Sequence, residues 1–246
     1  MKPWRTVDTV ETPEGTLALK QRDVHDFLIT IAGRVLMSST AHRSEVALGA
    51  AACKGLQSYA APRVLVGGLG MGFTLRAVLD QLPAGARVTV AELNPVTEAW
   101  CKGPIAHLTG NAASDPRVTV EIIDVAKAIS RAAGGPPGGR YDAIVIDLYV
   151  GPDAGTRDGD PLYGRKAVHN AAQALTAGGV FATWGEGYDA GYARRLEKAG
   201  FGVKTDRPGR GGLKHVVYLA KKGSAPARAP TAASPGGRRR GPSPRR

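Results

Sequence analysis

The sequence predicts an α/β protein, with a mostly parallel seven-stranded sheet that ends in an antiparallel hairpin and a small N-terminal β-sheet before it. Three observations predict this. From Arg63 onward, short apolar runs alternate with helical segments, as they do where parallel strands are covered on both faces by helices. Before that point, β-rich runs follow one another across tight turns, as in antiparallel hairpins. Near the end, "FGVKTD" and "KHVVYLAKK" are separated only by "RPGRGGL", which is too short for a parallel crossover and leaves an antiparallel pairing.

Between Thr6 and Ser38 the runs "TVDTV", "TLALKQR", "DFLITIAG" and "RVLMSS" are punctuated by "TPEG" and "AG". They predict an N-terminal β-lid over residues 1–40. A helix is expected over residues 44–59, with Ser44 as its cap and Val46, Leu48, Ala52 and Leu56 recurring at helical spacing. The main domain, residues 41–222, then reads as buried strands "RVLVGGL", "RVTVAEL", "RVTVEII", "YDAIVIDL" and "GGVFATW", four of them led by Arg or Tyr at a surface edge. Helices are expected between and after them at residues 73–81, 95–108, 125–133, 163–175 and 188–199.

The formal net charge of +12 is unevenly placed: residues 222–246 hold Lys222, Arg228, Arg238, Arg239, Arg240, Arg245 and Arg246 and no acid. Residues 223–246 lack the apolar content that offsets ordering entropy, so a disordered, basic, Pro/Arg-rich tail is expected, with weak non-specific attraction to RNA. Cys53 and Cys101 form neither a disulfide framework nor a metal-ligand spacing, which fits a reducing cytoplasm. No apolar run has the length of a signal peptide or a membrane span, so a soluble protein without a membrane partner is expected. His25, His42, His107, His169 and His215 are scattered, and no metal is expected.

The candidate site begins at "GGLGMG", where a strand opens through glycines into a helix. Gly68, Gly70 and Gly72 are spaced G-x-G-x-G, which is not the G-x-G-x-x-G of dinucleotide sites, and no Lys-Ser or Lys-Thr follows to make a P-loop. A nucleoside-type ligand without a pyrophosphate remains. "VTVAELNP" puts Glu92 at a strand tip, placed to accept both hydroxyls of a ribose over the glycine turn. "VEIIDV" puts Asp124 at the next tip, within reach of an adenine amino group, and "YDAIVIDLYVGP" puts Asp147 at the one after. Each could be a helix cap or a surface acid; together they favour an adenosyl group in the crevice where open α/β sheets bind ligands.

A parallel sheet closed by one antiparallel hairpin resembles the Rossmann-like fold of class I S-adenosylmethionine-dependent methyltransferases. The set "VLVGGLGMGFTLRAVL", "VTVAELNP", "DPRVTVEIIDV", "YDAIVIDLYVGP" and "PLYGRKAVHNAAQALTAGGVFATW" resembles the spermidine synthase family, the aminopropyltransferases built on that fold. The resemblance implies S-adenosylmethionine or its decarboxylated form as the ligand. Gly68, Gly70 and Gly72 would lie along its tail, Glu92 on the ribose, Asp124 at adenine, and Asp147 beside the sulfonium and amino end. It also implies a small-molecule acceptor, an amine in the family's chemistry; a homodimer is the expected assembly.

Departures from the family fall at the donor's amine, where Met71 weakens the case for aminopropyl transfer and is compatible with methyl transfer, and in the acceptor half. Met71 stands where the family's glycine loop has an aspartate, Val150 stands at the second acid of its D-x-x-D, and "SEVALGA" keeps Glu45 but puts Leu48, Gly49 and Ala50 where Tyr, His and Glu are expected. Asp153 is the candidate replacement base. A buried polycation needs paired carboxylates, and an attacking nitrogen must lose a proton. Methyl or aminopropyl transfer to a small acceptor is therefore expected, with poor use of putrescine. A nucleic-acid methyltransferase and a non-catalytic adenosyl-binding protein are the alternatives; "DLYV" is not the Asp/Asn-Pro-Pro-Tyr motif of enzymes that methylate base amines.

Overall fold

The computed structural model describes residues 2–153, 155–208 and 215–223. At the N-terminus, β1 (Arg5–Thr12), β2 (Gly15–Asp23), β3 (Asp26–Ile31) and β4 (Arg34–Ser38) pair in sequence order as an antiparallel sheet. Gly15 and Gly33 sit in its turns at φ +113° and +77°, backbone that glycine adopts without a Cβ penalty. One face is dry: Leu17, Leu19, Phe27, Ile29 and Ile31 are buried, while β1 is exposed along nearly its whole length.

After α1 (Arg43–Ala52), the second sheet is built from β5 (Arg63–Gly67), β6 (Arg87–Glu92), β7 (Val118–Ile122), β8 (Tyr141–Ile146), β9 (Leu175–Gly185), β10 (Phe201–Asp206) and β11 (Val216–Lys222). Its spatial order is β10-β11-β9-β8-β5-β6-β7. The central pairs are parallel, with Val66 opposite both Val90 and Val145, and β11 runs antiparallel to both β9 and β10. The expected fold class is therefore the observed one. The helices of this part are α2 (Phe73–Leu79), α3 (Pro95–Lys102), α4 (Val125–Gly134), α5 (Arg165–Ala174) and α6 (Ala190–Lys198).

Alternation along the strands divides the core into two layers. Val64, Val66, Val88 and Val90 pack toward Leu48, Leu75, Val78 and the N-terminal sheet. Leu65, Ile144, Ile146 and Phe181 pack toward Ile129, Val168, Ala171 and Leu196 on the other face. The N-terminal sheet is tied to the body by Trp100 Nε1, which donates to Asp8 Oδ2 at 2.8 Å, and by Tyr149, whose hydroxyl donates to Glu14 Oε2 at 2.6 Å.

Several local expectations are corrected. The helix expected to reach residue 59 ends at Ala52, and a short 3-10 turn, Leu56–Ser58, follows Gly55 at φ +92°. Ser44 does not cap it: His42 is the N-cap residue and the Ser44 hydroxyl donates to Glu45 Oε2 at 2.6 Å. Val46 is exposed rather than on the buried stripe. The helix expected over 95–108 breaks at Gly103 into α3 and a 3-10 turn, Ala106–Thr109. β7, read as buried, is an edge strand with partly exposed positions throughout.

Among the described residues, no helix is long and apolar enough to cross a membrane, and no group of His, Cys, Asp and Glu could hold a metal ion. The expected basic tail lies, from residue 224 onward, outside the described residues.

Candidate active site

The chain runs from β5 to one side as β6 and β7, then crosses back to enter β8 on the other side of β5. Loops leave the carboxyl ends of β5 and β8 in opposite directions and open a crevice between them. The glycine turn starts there. Asp147 N–H donates to the Gly67 carbonyl at 2.9 Å, and Gly68 N–H donates to the Ala91 carbonyl at 2.9 Å. At φ +87°, Gly68 passes so close to β8 that a Cβ would lie 2.4 Å from the Asp147 carbonyl oxygen. Gly70, at φ +52°, sits under Met37 of β4, whose Cε would be 2.7 Å from an added Cβ. Gly72, at φ +83°, starts α2 and does not line the cleft.

A cleft of about 430 Å³ opens over this turn. Leu17, Ile29, Ile31, Leu36 and Met37 of the N-terminal sheet form an apolar roof, and Glu92, Asp124 and Asp147 line the floor. Glu92 is buried, its Oε2 accepting from Leu69 N–H and its Oε1 from Asn94 N–H, each at 2.9 Å. Two backbone donors thus hold the carboxylate at the tip of β6, and each oxygen keeps a further lone pair for a ligand. Asp124 caps α4 through Oδ1, which accepts from Ala126 N–H at 2.7 Å. It is both a helix cap and a cleft residue.

Asp147 is the electrostatic centre of the site. Its Oδ2 accepts a 2.6 Å hydrogen bond from the Thr74 hydroxyl of α2. Burial pushes its carboxyl up from the ordinary 3.8 to about 7; the Thr74 bond opposes the rise, and the negative charge of Glu45 adds to it. Glu45 lines the same cleft. Asp153 does not: it lies in the loop after β8, where Oδ1 accepts from Gly155 N–H at 2.8 Å.

No family model matches the chain. Among curated proteins it is 37% identical over 125 residues to a polyamine aminopropyltransferase of Corynebacterium efficiens, covering 51% of this chain and 22% of that protein. It is 30% identical over 159 residues to one of Shewanella oneidensis, covering 58% of this chain and 26% of that protein. The matched segments thus span about a quarter of these curated relatives. The spermidine synthase of Thermotoga maritima superposes with a TM-score of 0.69 at 19% identity, covering 91% of this chain and 75% of that one. The fold is spermidine synthase-like. A spermidine synthase in complex with the transition state analogue AdoDATO gives a TM-score of 0.67 at 20% identity, covering 91% and 74% of the two chains. A probable spermidine synthase from Corynebacterium glutamicum gives 0.61 at 17% identity, covering 87% and 79%.

Within this spermidine synthase-like fold, the positions that depart from the family pattern have visible local roles. Met71 does not face the cleft. Its side chain is fully buried in the core, and its N–H donates to Met37 Sδ at 3.2 Å. Leu48 is fully buried, and Gly49 lets α1 approach α2 so closely that a Cβ would lie 2.7 Å from the Thr74 carbonyl. Val150 does line the cleft. The cleft carboxylates that sequence reasoning missed are Glu14 and Asp160, the latter accepting through Oδ1 from Leu162 and Tyr163 N–H at 2.8 and 2.7 Å. Tyr163, beside it, donates to the Val150 carbonyl at 2.9 Å. The Asp-Pro-Leu-Tyr turn of residues 160–163 was the available signal, since Asp before such a turn bonds its own backbone.

Proposed function

We propose that the protein transfers an aminopropyl group from decarboxylated S-adenosylmethionine to an amine. One observation carries the proposal: six carboxylate residues, Glu14, Glu45, Glu92, Asp124, Asp147 and Asp160, line one cleft in which none of the described lining residues is Lys, Arg or His. Such a cleft attracts a ligand that is cationic at both its sulfonium and its amine, and gives no charge partner to the carboxylate of S-adenosylmethionine itself. The names of the curated relatives and the superposing spermidine synthases support the same reaction class.

Bound, the donor supplies an electrophilic carbon next to a sulfonium. Gly68 and Gly70 admit its tail against the backbone, Glu92 receives the ribose hydroxyls, and Asp124 receives the adenine amino group. The acceptor nitrogen forms the new C–N bond with its lone pair, the C–S bond breaks toward sulfur, and the nitrogen sheds a proton. Asp147, held near neutrality and next to Glu45, takes that proton. Asp160 contributes a further carboxylate for the cationic acceptor.

The test is a product assay by mass spectrometry with decarboxylated S-adenosylmethionine and a panel of mono- and diamines that includes putrescine. An alkylated amine and the thioether nucleoside in equal amounts are expected. Methylated product from S-adenosylmethionine, with none from the decarboxylated donor, would replace this reading by methyl transfer; donor binding without any product would replace it by a non-catalytic role.

A further inference from the structure

We propose a second ligand site, for a phosphoryl anion, at the amino ends of the parallel strands, on the edge of the sheet opposite the cleft. A pocket of about 220 Å³ lies there, lined by Arg63, Arg87, Arg117, Thr89, Thr119 and Tyr141 among others. It shares no lining residue with the cleft. The arginines that open β5, β6 and, one residue ahead, β7 converge on it.

Their arrangement sets two like charges side by side, Arg63 half-buried and Arg87 exposed. Arg63 and Arg87 are direct Cα partners in the parallel pairing of β5 and β6, so their side chains leave the same rung on the same face about 4.8 Å apart at the backbone. Like charges so placed are destabilising. Among the described residues neither takes part in an ion pair. The Nε of Arg63 is buried without a hydrogen-bond partner, and its guanidinium lies over the Tyr141 ring, 5.7 Å from the centroid.

No carboxylate of the described residues forms an ion pair with Arg63 or Arg87. Asp115 is paired with Arg117 at 2.8 Å. Asp142 accepts from Arg63 N–H at 2.9 Å and from the Thr176 hydroxyl at 3.0 Å. Asp80 is paired with Arg76, and Glu121 with Arg131. Arg117 is a fixed wall, since it also donates to the Leu79 and Leu82 carbonyls at 3.1 and 3.0 Å.

Two guanidinium forks beside two hydroxyls suit the tetrahedral, multiply charged oxygens of a phosphoryl group better than a carboxylate or halide. Thr89 and Thr119, paired across β6 and β7, stand two residues along from Arg87 and Arg117 and so on the same face. The small volume favours a phosphate or diphosphate moiety, free or carried on a small molecule, over a polymer backbone.

Calorimetry and thermal melting of the full chain with pyrophosphate as probe test this, with inorganic phosphate, ATP and a short single-stranded RNA as further arms. Saturable pyrophosphate binding that raises the melting temperature is expected, and Arg87→Ala weakens it at least tenfold. Without the anion, Arg87→Ala melts no lower than the wild type, because it relieves the repulsion from Arg63. Arg63→Gln is the second variant, should circular dichroism show that Arg87→Ala does not fold. A preference for ATP over pyrophosphate and phosphate would identify a nucleotide-borne phosphoryl group. No saturable pyrophosphate binding, or undiminished pyrophosphate binding in the variants, would overturn the proposal.

Discussion

Replacing Asp147 by Asn should stabilise the protein while removing its chemistry. The carboxyl is lifted from 3.8 to about 7, chiefly by burial and then by Glu45, against the Thr74 hydrogen bond. Asn keeps the shape and an oxygen for the Thr74 hydroxyl. Because the folded state holds the proton more tightly than the unfolded chain, the wild type loses stability as pH rises from about 4 to about 7, and the loss is constant above that. The whole gap corresponds to at most about 4 kcal/mol. Asp147 borders an open cleft, where water weakens the effect, so about 2 kcal/mol is expected. Urea denaturation of both proteins at pH 3.5 and pH 8 reads the difference directly. Asn should match the wild type at the lower pH and exceed it by about 2 kcal/mol at the higher one, while amine transfer falls by roughly two orders of magnitude. Equal stability of the two proteins at pH 8, or a less stable Asn variant there, would refute the reasoning.

Glu92→Gln should weaken adenosyl-donor binding about tenfold by calorimetry, since it removes the charge-assisted pair proposed for the ribose while keeping an acceptor for one backbone N–H. Gly70→Ala, at φ +52° and with Met37 Cε 2.7 Å from the new Cβ, should cost about 1–3 kcal/mol in chemical denaturation. Trp100→Phe removes the indole bond to Asp8 and leaves a void where the buried indole packed, and about 2–3 kcal/mol of stability should go with it. Cys53 and Cys101 are both buried, and burial pushes both thiols up to about 12; neither should react with a thiol reagent in the native protein, and both should react in urea.

The strands were legible because each carries a short β-branched run bounded by turn residues, and the terminal hairpin because its connection is too short for a crossover. Strand order was legible only through the family resemblance, since the crossover from β7 back to β8 leaves no mark in either strand's composition. Glu92, Asp124 and Asp147 could be picked out because each directly follows its strand run. Glu45 and Asp160 reach the cleft by tertiary packing, one on a helix that Gly49 lets settle against α2, the other on a turn folded back after β8. Local pattern does not record such approaches. Met71 shows the converse: the family resemblance sets it at the place of a ligand-facing aspartate, but with positive φ at both Gly70 and Gly72 the Met71 side chain is buried in the core.

The proposed function requires the acidic cleft to select a cationic adenosyl donor. Its most direct test is calorimetric titration of the protein with decarboxylated S-adenosylmethionine, S-adenosylmethionine and NAD at a fixed, moderate salt concentration. We expect the decarboxylated donor to bind at least tenfold more tightly than S-adenosylmethionine, with the preference shrinking as salt is raised, and NAD not to bind. Equal or tighter binding of S-adenosylmethionine, or binding of NAD, would contradict it.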